Sequence, residues 1–137
     1  MSADIKMFNP DTLGQPAGQY SHIARVRGAG ELVFIAGQIA VDKAGNAVGA
    51  DDFDAQCRQV YANIEAALKS AGAGWRNVVQ FTTYLVHSQD ISKLRAFRQR
   101  EFPRYFPDGA YPPNTLLVVD RLASESYLLE IQAVAAL

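Results

Sequence analysis

The sequence is short of several things that would narrow its class. Its one cysteine is Cys57, so no internal disulfide can form and the fold must be held by its core. A reducing, cytoplasmic setting is the expectation. The two histidines, His22 and His87, stand far apart with no ligand pattern around them, and neither a metal nor a cofactor is expected. No apolar run approaches the roughly 18 residues of a membrane span. The opening stretch M-S-A-D-I-K-M-F-N-P has no apolar core of the signal-peptide kind, and no membrane partner is expected. The net charge of −1 leaves no excess of positive charge, and no nucleic-acid partner is expected. Arg95, Arg98, Arg100 and Arg104 do gather on one stretch. Without interleaved aromatics they read as a solvated helix face. No internal repeat, low-complexity tract or linker interrupts the chain.

What is present is ordinary globular material, 49% apolar and 20% charged over 137 residues, enough for a single domain. Residues 1–17 form an irregular lead-in, with at most a short strand near Ile5–Phe8. Tyr20–Arg27 alternates, and Gly28-Ala29-Gly30-Glu31 is a turn signal before the apolar run Leu32–Ala36. Together they predict a first hairpin. Gly37 ends that run and predicts a bulge or a close backbone approach. After a surface loop over residues 38–50, Phe53, Cys57, Val60, Tyr61, Ile64, Ala67, Leu68 and Ala71 recur at helical spacing. Asp51 or Asp52 caps this helix and Gly72 closes it. Cys57 lies on its apolar face and is expected to be a core residue rather than a nucleophile. Asn77–Val86 is rich in β-branched and aromatic residues and predicts a strand. A second helix begins at Ser88 or Asp90, with Ile91, Leu94, Phe97, Phe102 and Tyr105 as its apolar face. Leu116–Val119 and Tyr127–Val134 then predict a closing hairpin.

The order is ββαβαββ, an α/β sandwich of the α+β kind with two helices on one face of a mixed sheet. Two helices cover one face only. Leu32–Ala36 and Leu116–Val119 are apolar at consecutive positions, so both faces of those strands call for burial. A second copy of the chain is the simplest cover, and a homo-oligomer is expected. Glu130 stands between Leu129 and Ile131 in the last strand, where a carboxylate is costly unless paired or used.

Several ordered segments resemble the RidA/YjgF family: G-Q-Y-S-H (18–22), F-I-A-G-Q-I-A (34–40), Q-C-R-Q-V-Y-A-N-I-E-A-A-L-K-S-A-G (56–72), V-V-Q-F-T-T-Y-L (78–85) and R-L…L-E-I-Q-A-V-A (121–135). The resemblance implies a chorismate-mutase-like ββαβαββ unit. It also implies a homotrimer whose sheets form a central barrel, with a small-molecule ligand in each intersubunit cleft. Well-known members hydrolyse reactive enamines and imines such as 2-aminoacrylate to a keto acid and ammonia.

Carried over residue by residue, the resemblance implies that Glu130 is the catalytic carboxylate near the attacking water. Tyr20, Ala36, Gly37, Asn114 and Thr115 fall at pocket positions. Ala36 replaces a serine, Asn114 the arginine that holds the substrate carboxylate, and Thr115 a small residue. Arg95, where relatives often carry asparagine, is a candidate to restore anion binding. A charge-assisted hydrogen bond contributes roughly 1.5–3 kcal/mol against roughly 0.5–1.5 for a neutral one. The change to Asn114 therefore argues against 2-aminoacrylate as substrate. Two functions follow: an imine/enamine deaminase or related hydrolase acting on another small molecule, or a non-catalytic trimeric small-molecule binder or holdase-like protein.

Overall fold

Helical periodicity, strand propensity and chain connectivity together produce two crossover units that share a strand. In the computed structural model, which describes residues 2–137, β1 (Asp4–Phe8) and β2 (Ile23–Arg27) form a two-stranded antiparallel ribbon. The main sheet contains β3 (Leu32–Gln38), β4 (Val78–Leu85), β5 (Asn114–Val118) and β6 (Leu129–Ala136), in the order β3-β6-β4-β5. Helix α1 (Phe53–Ser70) links β3 to β4, and α2 (Asp90–Tyr105) links β4 to its parallel neighbour β5. Both connections need a crossover helix, which puts α1 and α2 on the same face. β6 lies antiparallel between β3 and β4, so the last strand in chain order is central in space. The mixed sheet with two helices on one side is therefore as expected.

Neither hairpin forms. β2 pairs with β1 rather than β3. The reason lies in the connecting segment: the backbone N–H groups of Gly30 and Glu31 donate to Leu137 O, and Leu137 N–H donates to Glu31 O. The chain thus enters β3 already registered on the end of β6. β5 and β6 are likewise separated by β4. Residues 119–128 carry the chain past the end of β4, a span too long for a tight turn. The lead-in does contain a strand, β1, at the place where a short one was allowed.

Helix α1 follows its periodicity closely. Asp52 caps it, accepting from Ala55 N–H at 3.0 Å. Gly72, at φ 74°, follows the C-cap residue Ala71 in the left-handed conformation that glycine adopts freely. Helix α2 differs: Gln89 occupies its N-cap without a side-chain bond. Asp90 is instead buried in the first turn and pairs with Lys93.

The core lies between helices and sheet. Tyr61 stacks on Phe97 at 5.3 Å between ring centroids and meets Phe81 and Phe102 edge-on. Ile35, Leu85, Leu129 and Ile131 complete the sheet side. Buried Gln56 donates to Gly49 O and Ser126 O and accepts from Leu128 N–H, so α1 also fixes the approach to β6. The opposite sheet face is bare. Phe34 is 74% exposed, and Leu32 and Leu117 are exposed with it. No helix among the described residues is long and apolar enough to cross a membrane.

Cys57 is fully buried, as its helical position requires. Burial pushes its thiol well above the ordinary range and raises the Tyr61 phenol as well. An unfolded cysteine ionises near ~8.5 and an unfolded tyrosine near ~10, while the folded chain keeps both protons. Above those values the unfolded state binds fewer protons than the native one, so stability falls as pH rises. Urea unfolding between pH 7.5 and 9.5 is expected to show this decline, approaching about 1.4 kcal/mol per pH unit. In Cys57→Ala the slope over that window flattens. An equally steep slope in the variant would show that Cys57 is not its source.

Candidate functional site

Strand alternation assigns each candidate residue to a face. On β5, Asn114 and Leu116 share the helix-side face, and Thr115 and Leu117 the bare one, because Asn114 stands opposite buried Phe81 and Thr115 opposite Thr82. On β6, Glu130 lies opposite Tyr84, on the bare face. The candidates therefore fall into two groups.

The first group lines a cleft of about 270 Å³ between residues 17–20, the first turns of α2 and the start of β5. Tyr20, Arg95 and Asn114 meet there, with Ile91, Leu94 and Leu116 as apolar walls. The Tyr20 segment is held by its neighbours. His22 N–H donates to Asn9 Oδ1 at 2.7 Å, the His22 Nε2 is 2.6 Å from Gly14 O, and the Tyr20 and His22 rings meet edge-on at 5.8 Å.

The floor of this cleft is Arg98, expected on a solvated face but only 6% exposed. Arg98 Nε donates to Tyr61 Oη at 3.2 Å. Its Nη2 donates to Thr83 Oγ1 at 2.9 Å and to Asn114 Oδ1 at 3.2 Å. Thr83 Oγ1 also donates to Asn114 Oδ1 at 2.7 Å. The guanidinium carbon lies 5.4 Å from the Phe102 ring centroid. All of these partners are neutral, and no carboxylate pairs with Arg98 among the described residues. A pattern in the sequence does point to it. Arg98 stands four residues after Leu94 and four before Phe102, on the buried stripe of α2 rather than beside it.

The second group sits on the bare face. β3 carries a bulge at Ala36-Gly37: Ile35 pairs with Ala133 and Gln38 with Ile131, so β3 spends one residue more than β6 between these pairs. Here the sequence reading of Gly37 holds in both its forms. A Cβ on Gly37 would lie 2.5 Å from Glu130 Oε2 and 2.8 Å from its Cδ and Cγ. The missing side chain is the space the Glu130 side chain occupies. Ala36 and Thr115 are exposed on this face. Glu130 makes no hydrogen bond or ion pair with any described residue.

Within one chain the groups do not meet. Glu130 and Asn114 lie two strands apart, roughly 10 Å at ~4.8 Å per spacing. They are offset by a further three residues along the strands, again roughly 10 Å, and point to opposite faces. Arg121 joins neither group. It pairs with Glu125 and donates to Leu122 O and Ala123 O within its own loop. A slightly larger depression of about 310 Å³, walled by Ile5, Met7, Trp75, Tyr105 and Phe106, contains none of the candidates. Its walls are mainly apolar, with Arg76 and Asp108 as their charged members, whereas the smaller cleft gathers Tyr20, Arg95, Arg98 and Asn114 and is the candidate site.

Comparison with known proteins places the chain in a family. The family model described as endoribonuclease L-PSP matches residues 12–137. A RutC family protein of Synechocystis is 33% identical over 134 residues, 97% of each chain. The chain belongs to the Rid/YjgF family. A RutC family protein of Pyrococcus horikoshii is 34% identical over 121 residues, 88% of this chain and 89% of its own. Among solved structures, the Rid family protein YyfB of Yersinia pestis, described as of unknown function, superposes with a TM-score of 0.84. It is 35% identical, with coverage of 97% of this chain and 98% of that one. The Escherichia coli YjgF product shares the fold at a TM-score of 0.68 and 24% identity over 96% and 98% of the two chains.

The Gly37 contact makes a test of the bare-face group. Gly37→Ala must displace the Glu130 side chain, which is free to rotate away, so stability should fall by only about 1 kcal/mol or less. The Glu130 side-chain resonances should shift strongly in NMR spectra of the variant. Unmoved Glu130 resonances would mean that the close packing does not govern its position.

Proposed function

We propose that this chain is an imine or enamine deaminase, or a closely related hydrolase, acting on a small molecule other than 2-aminoacrylate in a cleft between subunits of a homotrimer. The observation that carries this reading is Glu130. It has space reserved by a glycine, stands in an apolar strand and has no hydrogen-bond or ion-pair partner among the described residues. A structural carboxylate would be paired. One without a structural partner is suited to proton transfer.

The chemistry asks little of the protein. An enamine tautomerises to its imine, water adds to the C=N carbon, and the resulting carbinolamine loses ammonia to leave a carbonyl. Glu130 takes a proton from the attacking water and returns one to the departing amine. The cleft around Tyr20, Arg95 and Asn114 holds the substrate, which turns a bimolecular encounter into a positioned one. The two groups lie on opposite sheet faces, so a complete site needs two chains. The bare apolar face around Phe34 supports such an assembly, with the Glu130 face of one subunit meeting the cleft of the next. The alternative, a non-catalytic trimeric binder or holdase-like protein, draws on Asn114, whose amide oxygen is already committed to Arg98 and Thr83.

Ammonia release from imino acids generated in situ is the direct test. The parent protein is expected to accelerate hydrolysis above the spontaneous rate. Glu130→Gln should lose about 10²–10⁴ of that acceleration, the usual share of a general acid–base group. A parent that binds ligand without accelerating release of ammonia would support the binder instead.

A further inference from the structure

We infer that the cleft is built for a small dianion, with one anionic group seated on Arg98 and a second on Arg95. The inference rests on the cleft being the substrate pocket and names the class of ligand it takes. It starts from the five cations of α2. Lys93 pairs with Asp90, Arg100 with Asp54 and Arg104 with Glu101. Arg95 and Arg98 alone on this helix have no acidic partner among the described residues, and both line the same cleft. No carboxylate lines it with them.

Their spacing makes this unusual. Residues three apart on a helix have Cβ atoms about 5–6 Å from each other, and like charges so placed repel. Arginine keeps its proton in proteins, so the repulsion is not relieved by titration. One member of the pair is also withdrawn from water, since Arg98 is 6% exposed. The neutral acceptors Tyr61, Thr83 and Asn114 use its Nε and Nη2. No acceptor among the described residues takes a hydrogen bond from its Nη1, and the guanidinium borders the cleft. Arg95 is exposed at the rim. The pair thus offers one fixed, buried cation and one exposed cation three residues apart on the helix. A ligand with a single carboxylate can satisfy one of them fully. A ligand with two, joined by two or three carbons, matches the helical spacing and satisfies both. An imino or enamino dicarboxylate is therefore the substrate class this cleft selects.

Binding of stable probes tests this apart from turnover. Succinate and glutarate are titrated into the full chain beside butyrate by calorimetry, with backbone and Arg Nε–H resonances followed by NMR. At least one dicarboxylate is expected to bind about tenfold or more tightly than butyrate, as one further charge-assisted hydrogen bond would give, with shifts centred on Arg98 and Asn114. Arg95→Gln, an exposed change that leaves the core alone, should bring the ratio to about one. Arg104→Gln, away from the cleft, should keep it. Equal binding of mono- and dicarboxylates, a ratio that survives Arg95→Gln, or no anion-dependent shift at Arg98 each overturns the inference. Tight dicarboxylate binding without ammonia release from the matching imine would sink the deaminase reading alone. Turnover that treats mono- and dicarboxylate imines alike would sink the dianion alone.

Discussion

A single buried cation joins four elements of this fold. Arg98 comes from α2, Tyr61 from α1, Thr83 from β4 and Asn114 from β5. Withdrawing a guanidinium from water costs several kcal/mol in a protein interior. That cost is offset by charge-assisted bonds to three neutral oxygens and by the Phe102 ring beneath the charge. The consequence is positional. β5 has one ladder partner, β4, and its first residue is held by side chains as well as by backbone. The mouth of the cleft is defined where the sheet alone would leave it loose.

The same sheet separates the two groups of candidate residues. Helices cover one face and put the cleft at their side. The other face carries Glu130 beside its glycine, within an apolar surface that no described element covers. Strand alternation enforces the division, because neighbouring residues such as Asn114 and Thr115 cannot share a face. In the proposed function, substrate holding and proton transfer fall to different surfaces of one molecule. Assembly, rather than a flexible loop, is the natural way to bring them together.

Local signals in the sequence proved dependable where the structure they describe is local. The period of Phe53, Val60, Ile64 and Leu68 marks α1, and Asp52 marks its start. Gly37 marks the bulge. Strand pairing was less legible. Tyr20–Arg27 and Leu32–Ala36 look like a hairpin because a glycine-rich turn joins them, yet pairing depends on which edges are free. β6, more than 90 residues later in the chain, takes the edge of β3. Leu116–Val119 and the last strand are similarly misleading, since β4 has already been placed between them. Arg98 carries a charge that ordinarily marks an exposed residue, which is why its buried place is not evident from its type. Its position between Leu94 and Phe102 on the buried stripe marks it as an inward residue, and the polar side chains of Thr83 and Asn114 that receive it come from distant strands.

The central place of β6 also orders events in time. β3 and β4 do not touch each other in the sheet; each pairs with β6. During synthesis, residues 129–136 are the last of the strands to leave the ribosome. Until then β3 has no ladder at all, and β4 can recruit only β5. The growing chain must hold α1, α2 and their aromatic side chains without the surface on which they will pack. Closure of the core is thus a late, concerted event, delayed by the long sequence separation of its ladders. A nascent chain of this design is exposed to association with its neighbours until β6 has emerged.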